Sequence, residues 1–122
     1  MKKRLQSFRF AGRGIRLVFT SEPNMKIHLA AVLLVTCCGF IFSISKAEWL
    51  ACLVCFGMVM GAEMVNTAIE LTVDLVSPEF DPLAGKAKDV AAGAVLVCSI
   101  ISAIVGLLIF VPKGLHLLHL LS

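Results

Sequence analysis

From Val90 to Val111 the chain runs for 22 residues without a charged side chain, the length a helix needs to cross a bilayer. In hydrocarbon no water pairs with an exposed backbone N–H or C=O, and a helix of this length satisfies them all within the segment. Two further stretches follow the same logic. Ile27–Ile44 is uncharged apart from His28 at its edge, and Trp49–Ala62 is uncharged and continues in helical character to Val76. With 59% hydrophobic and 16% charged residues and a mean hydropathy of +0.97, the composition lies well outside the soluble range and excludes disorder. The sequence predicts one all-α membrane domain: a surface helix and turn over 1–25, spans over 27–45, 49–76 and 90–111, a loop over 77–89 and a tail over 112–122. Five cysteines scattered through apolar runs do not make a disulfide framework, and a net charge of +3 is too small to specify nucleic acid.

The segment before the first span has a pattern of its own. At 100° per residue Lys2, Arg9, Arg13 and Arg16 fall within an arc of about 60°, while Phe8, Ala11, Ile15, Val18 and Phe19 form a neighbouring face. A basic stripe beside an apolar one suits a helix lying on an anionic membrane surface rather than a cleaved signal peptide. Gly12 and Gly14 are positions where that helix could break.

Charge placement sets the orientation. Six Lys and Arg precede the first span, Lys26 stands at its edge, and Lys86 and Lys88 follow the second; the outer turn holds only Lys46 and the tail only Lys113. By the positive-inside rule the N-terminus and the 76–89 segment face the cytoplasm and the C-terminus faces out. Pro78, Pro82 and Gly85 mark that segment as a loop.

The middle span carries the chemistry. Glu63, Asn66, Glu70 and Asp74 stand at i, i+3, i+7 and i+11, within about 80° of one another on a helix. An ionised side chain in a span costs about 2.5–3.5 kcal/mol on the insertion scale. Three acids with no cation in the span need a metal ion, a cationic ligand or a polar protein interior to offset that cost. Glu22 lies where the surface helix meets the first span, and Asp89 just before the third. Acids with few other ligands suit Mg²⁺, which takes one or two carboxylates together with phosphate oxygens, and Lys88 suits a phosphate as a point charge. Together these are the parts of phosphoryl transfer, with one carboxylate free to take the proton of an attacking hydroxyl. Phe80 occupies the first glycine position that a phosphate-binding loop ending in Gly85-Lys86 would need, so soluble kinase motifs are absent.

The run Gly61-Ala-Glu63-Met-Val-Asn66-Thr-Ala-Ile-Glu70-Leu-Thr-Val-Asp74, followed by Lys86-Ala-Lys88-Asp89-Val-Ala-Ala-Gly-Ala-Val-Leu, closely resembles the small integral-membrane lipid kinases, the prokaryotic diacylglycerol kinases and their undecaprenol kinase relatives. The resemblance extends from the Phe8–Arg16 segment through the third span. It implies a homotrimer in a prokaryotic cell membrane, with shared sites at the cytoplasmic edge that use ATP and Mg²⁺. It assigns Glu63 as general base, Glu22 and Glu70 as metal ligands, and Asn66 and Asp74 as polar supports. Lys88 and Asp89 match nucleotide contacts, Glu79 and Asp81 the loop near the base, and Arg9 the region that lines lipid and nucleotide. The Ser77-Pro-Glu-Phe-Asp-Pro segment departs from the diacylglycerol kinase pattern. The Glu22-Pro-Asn24-Met-Lys26-Ile27-His28 segment looks like the undecaprenol kinase branch, but either lipid presents the primary hydroxyl that Glu63 requires.

Other signals carry less. Cys52-x-x-Cys55 lies inside a span with no second pair, so both read as small apolar packing residues. His28 reads as a hydrogen-bonded interfacial residue, and Gly57 and Gly61 as a close-packing surface. Two other functions compete: a small multidrug-type transporter, against which Lys86 and Lys88 argue by repelling a cationic substrate, and a non-enzymatic accessory subunit whose polar seam docks on a partner helix.

Overall fold

A computed structural model describes residues 1–122 as four helices: α1 (Lys2–Ser21), α2 (Pro23–Ile41), α3 (Lys46–Val76) and α4 (Pro82–Leu121). The last three are each long and apolar enough to cross a membrane. At 1.5 Å per residue α2 is about 28 Å long, close to a bilayer's hydrocarbon thickness, whereas α3 and α4 reach about 46 and 60 Å and must tilt or project beyond it. α3 is the central element, packed mainly on α4 and also touching α1 and α2.

The breaks follow from local chemistry. Pro23 disfavours helical backbone at the residue before it, and Glu22 accordingly turns extended at φ −94° and ψ 116°. Its N–H still donates to the Val18 carbonyl, so α1 and α2 are separated by one residue. At the other end of α2, Ser43 adopts φ 50°. Ile44 N–H then donates to Gly39 and Ser43 N–H to Phe40, the paired bonds of a Schellman stop. Two residues later Ser45 starts α3 through a capping box: its hydroxyl accepts from Glu48 N–H, and the Glu48 carboxylate accepts from Ser45 N–H. Lys113 of α4 pairs with that carboxylate at 3.3 Å, tying the two long helices at this end.

The apolar centre lies beside the same turn. Ile44, Cys52 and Ile109 are buried, flanked by Phe42, Trp49, Phe56 and Phe110. Gly39 admits the Trp49 ring so closely that a Cβ there would lie 2.5 Å from the indole Cη2. Gly57 and Gly61, expected to pack closely, face open space in the single chain.

Three local expectations change. α1 passes through Gly12 and Gly14 without a break. Pro82 and Gly85 stand at the start of α4 rather than in a loop, because proline at the first helical position loses no hydrogen bond; residues 77–81 alone connect α3 to α4. The tail beyond Pro112 stays helical to Leu121.

Only 11 of 122 residues are buried, and the accessible surface is 9143 Å². A compact soluble chain of this mass exposes roughly 6,400 Å². The excess is largely apolar, with Leu33, Leu34, Phe40, Leu107 and Leu108 among the exposed side chains, so lipid or further protein must cover it.

Candidate active site

The seam on α3 grades from buried to exposed. Glu63 is 1% exposed, Asn66 is buried, Glu70 is half-buried and Asp74 is exposed. The helix rise places about 16 Å between the two ends. The gradient gives the acids different surroundings. A carboxylate buried without partners loses its hydration and gains nothing in return, whereas one at the surface keeps its water.

At the buried end, Thr67 donates its hydroxyl to the Glu63 carbonyl, leaving the Glu63 side chain free. Glu63 Oε2 is buried and accepts no hydrogen bond. The nearest basic group is His28 of α2, whose Nε2 stands 3.6 Å from it and is likewise buried and unpartnered. One turn along α3, Asn66 Nδ2 donates to Glu70 Oε1 at 3.4 Å, while Asn66 Oδ1 is a third buried atom with no partner. Two of these three atoms face each other and the third is on Asn66, so the polar groups of this region are not fully satisfied within the single chain.

At the exposed end, Lys88 of α4 donates to Asp74 Oδ1 at 2.5 Å. These two residues line a cavity of about 180 Å³ together with Ser77, Glu79, Phe80 and Asp81. Asp81 is also the N-cap of α4, its Oδ1 accepting from Leu83 and Ala84 N–H, so part of its carboxylate is already committed to the fold. Glu22 occupies the equivalent place before Pro23 but makes no side-chain cap bond, as the longer acid caps poorly. Its half-buried carboxylate stays available. Asp89 and Arg9 are exposed and make no ion pair; Arg9 lies on α1 beside Lys2, Leu5 and Gln6.

The single chain thus joins Glu63 to His28, Asn66 to Glu70 and Asp74 to Lys88, and groups Glu79 and Asp81 with the last pair. Glu22, Arg9 and Asp89 make no side-chain hydrogen bond or ion pair with them. No three His, Cys, Asp or Glu side chains converge as a metal cage. The half-buried carboxylates of Glu70 and Glu22 are the kind of ligand Mg²⁺ would use, one or two acids together with water and phosphate oxygens. His28 is the residue that sequence reasoning undervalued; its place one residue after an apolar Ile27 hid the fact that α2 folds it toward Glu63.

Three membrane-length helices, one of them carrying a graded acid seam with a lysine at its exposed end, define a helical membrane protein with a polar site. The prokaryotic diacylglycerol kinase family matches this chain over residues 9–110. The chain is 48% identical over 108 residues to an undecaprenol kinase of Bacillus subtilis, covering 88% of each chain. It is 38% identical to a diacylglycerol kinase of Synechocystis, over 93% of this chain and 66% of that one, and 28% identical to a diacylglycerol kinase of Escherichia coli, over 78% of each. The chain belongs to the prokaryotic diacylglycerol kinase family and is a lipid kinase of the membrane. Membership in it replaces the transporter and accessory-subunit readings.

Proposed function

We propose that this kinase uses ATP and Mg²⁺ to phosphorylate the primary hydroxyl of a long polyprenol such as undecaprenol, with diacylglycerol as the second candidate acceptor. The carboxylate of Glu63, buried and with Oε2 unpartnered, carries this reading. A general base must reach the proton it takes, and a carboxylate oxygen committed to no other donor is free to do so. Glu63 takes the hydroxyl proton as the lipid oxygen bonds to the γ-phosphorus and the bond to ADP breaks. Lys88 offers its ammonium to phosphate oxygens, with Asp74 aiming it. Glu70, steadied by Asn66, and Glu22 would hold Mg²⁺. When bound, that ion neutralises charge on the phosphate oxygens. Asp89, Glu79, Asp81 and Arg9 surround the nucleotide.

The 48% identity to an undecaprenol kinase, against 28% to the diacylglycerol kinase of Escherichia coli, supports the polyprenol. The Glu22–His28 segment favours the same branch. The N-terminus and the site face the cytoplasm, following the lysine and arginine distribution. α1 lies on the membrane surface; Arg13 stacks over the exposed Phe10 ring at 5.6 Å, a pairing suited to the headgroup region. Three copies assemble as a homotrimer. Their contacts cover part of the excess apolar surface and supply to each site the groups that one chain leaves apart.

Purified protein in mixed micelles with radiolabelled ATP, assayed on the two lipids side by side and read by thin-layer chromatography, tests the acceptor. Faster labelling of undecaprenol at equal mole fraction is the expected result. Labelling of diacylglycerol alone would reverse the preference, and labelling of neither would overturn the proposed acceptors.

A further inference from the structure

We propose that His28 is a positioning residue for Glu63: its Nε2–H bonds to Glu63 Oε2 during turnover and fixes the carboxylate so that Oε1 meets the lipid hydroxyl. The proposal rests on the reading of Glu63 as the general base.

Two observations carry it. His28 Nε2 and Glu63 Oε2 lie 3.6 Å apart, beyond hydrogen-bond length but within a small side-chain rotation of it. Both atoms are buried and neither has any other partner. No other donor bonds Oε2: the neighbouring bonds run from Asn66 Nδ2 to Glu70, from the Thr67 hydroxyl to the Glu63 carbonyl and from Lys88 to Asp74. A carboxylate oxygen without a donor has no hydrogen bond to hold its plane, so the direction of its basic oxygen is left to packing alone. A base must lie within about 3 Å of the proton it takes, so that loss of direction lowers the rate rather than the affinity. The imidazole is set for the task because α2 is anchored just upstream: Met25, one turn before His28, is fully buried.

Initial rates over ATP and lipid titrations in mixed micelles, for the full chain and for His28→Ala, His28→Gln, His28→Asn and Glu63→Gln, test the role. His28→Ala should lose about 10- to 100-fold in kcat, with KM for ATP changed less than about twofold. His28→Gln should recover most of the rate, because its terminal amide nitrogen reaches the place of Nε2. His28→Asn should not, since its amide stops one bond short. All variants should keep the helical circular dichroism and detergent elution volume of the parent.

A His28→Ala kcat within about threefold of the parent, with Glu63→Gln inactive, would overturn the positioning role while leaving the base intact. Equal losses in a folded His28→Gln and His28→Ala would overturn it as well. An active Glu63→Gln would instead remove the base reading on which this role stands. Should His28→Ala not fold, the Gln and Asn pair decides, the proposal standing only if Gln is the faster.

Discussion

Lys88 of α4 donates to Asp74 of α3 at 2.5 Å, fourteen residues apart in sequence, and their side chains are 40% and 61% exposed. At that exposure an ion pair contributes at most about 1 kcal/mol to stability. Its consequence is geometric: it holds one ammonium over the cavity that Glu79 and Asp81 line. Lys88→Ala should therefore raise KM for ATP about 10- to 100-fold, the loss of one charge-assisted hydrogen bond, while thermal unfolding in detergent changes little. Asp74→Asn should move KM in the same direction by less. An unchanged KM in Lys88→Ala would separate this lysine from the nucleotide.

Glu70 owes its orientation to Asn66 Nδ2. Glu70→Gln should raise the Mg²⁺ concentration for half-maximal rate roughly tenfold, and Asn66→Ala should raise it less. Chelation should stop turnover in all of them and added Mg²⁺ restore it. Metal titrations at saturating ATP provide the measurement.

The Trp49 ring occupies the space where a Cβ at Gly39 would stand, with Cζ2 at 2.8 Å and Cη2 at 2.5 Å. Gly39→Ala should cost about 1–3 kcal/mol by overpacking and lower the unfolding midpoint. Trp49→Phe, which shortens the ring, should relieve most of the loss in the double variant. Additive losses would argue against the contact.

Ser43 holds a left-handed φ of 50° between α2 and α3. L-residues pay about 1–2 kcal/mol there, so Ser43→Gly should stabilise the protein by about 1 kcal/mol against heat, and Ser43→Val should destabilise it. Activity should be unaffected, the turn being at the opposite end of α3 from Asp74.

The spans were legible because uncharged length alone specifies a helix in hydrocarbon. The acid seam was legible because a period of 3.6 puts Glu63, Asn66, Glu70 and Asp74 on one face. Helix ends were less so. Pro82 breaks a helix or begins one depending on whether a cap precedes it, and Asp81 supplies that cap through bonds invisible in a list of residues. Glycine alone does not fix the backbone: Gly12 and Gly14 sit within an unbroken α1, and Gly39 rather than Gly57 or Gly61 makes the close approach. His28 depended on how α2 turns relative to α3, a tertiary fact that no period along one helix encodes. Glu22 makes no hydrogen bond or ion pair that ties it to the seam, so its place in the site belongs to the proposal.

The most direct test is the turnover of Glu63→Gln with ATP, Mg²⁺ and undecaprenol in mixed micelles, alongside nucleotide binding to the same protein. Glutamine keeps the size of the side chain and removes its capacity to take a proton. Turnover should fall about 10²- to 10⁴-fold while ATP binds with unchanged affinity. A variant that phosphorylates the lipid within a few-fold of the parent rate would show that the buried carboxylate is not the base.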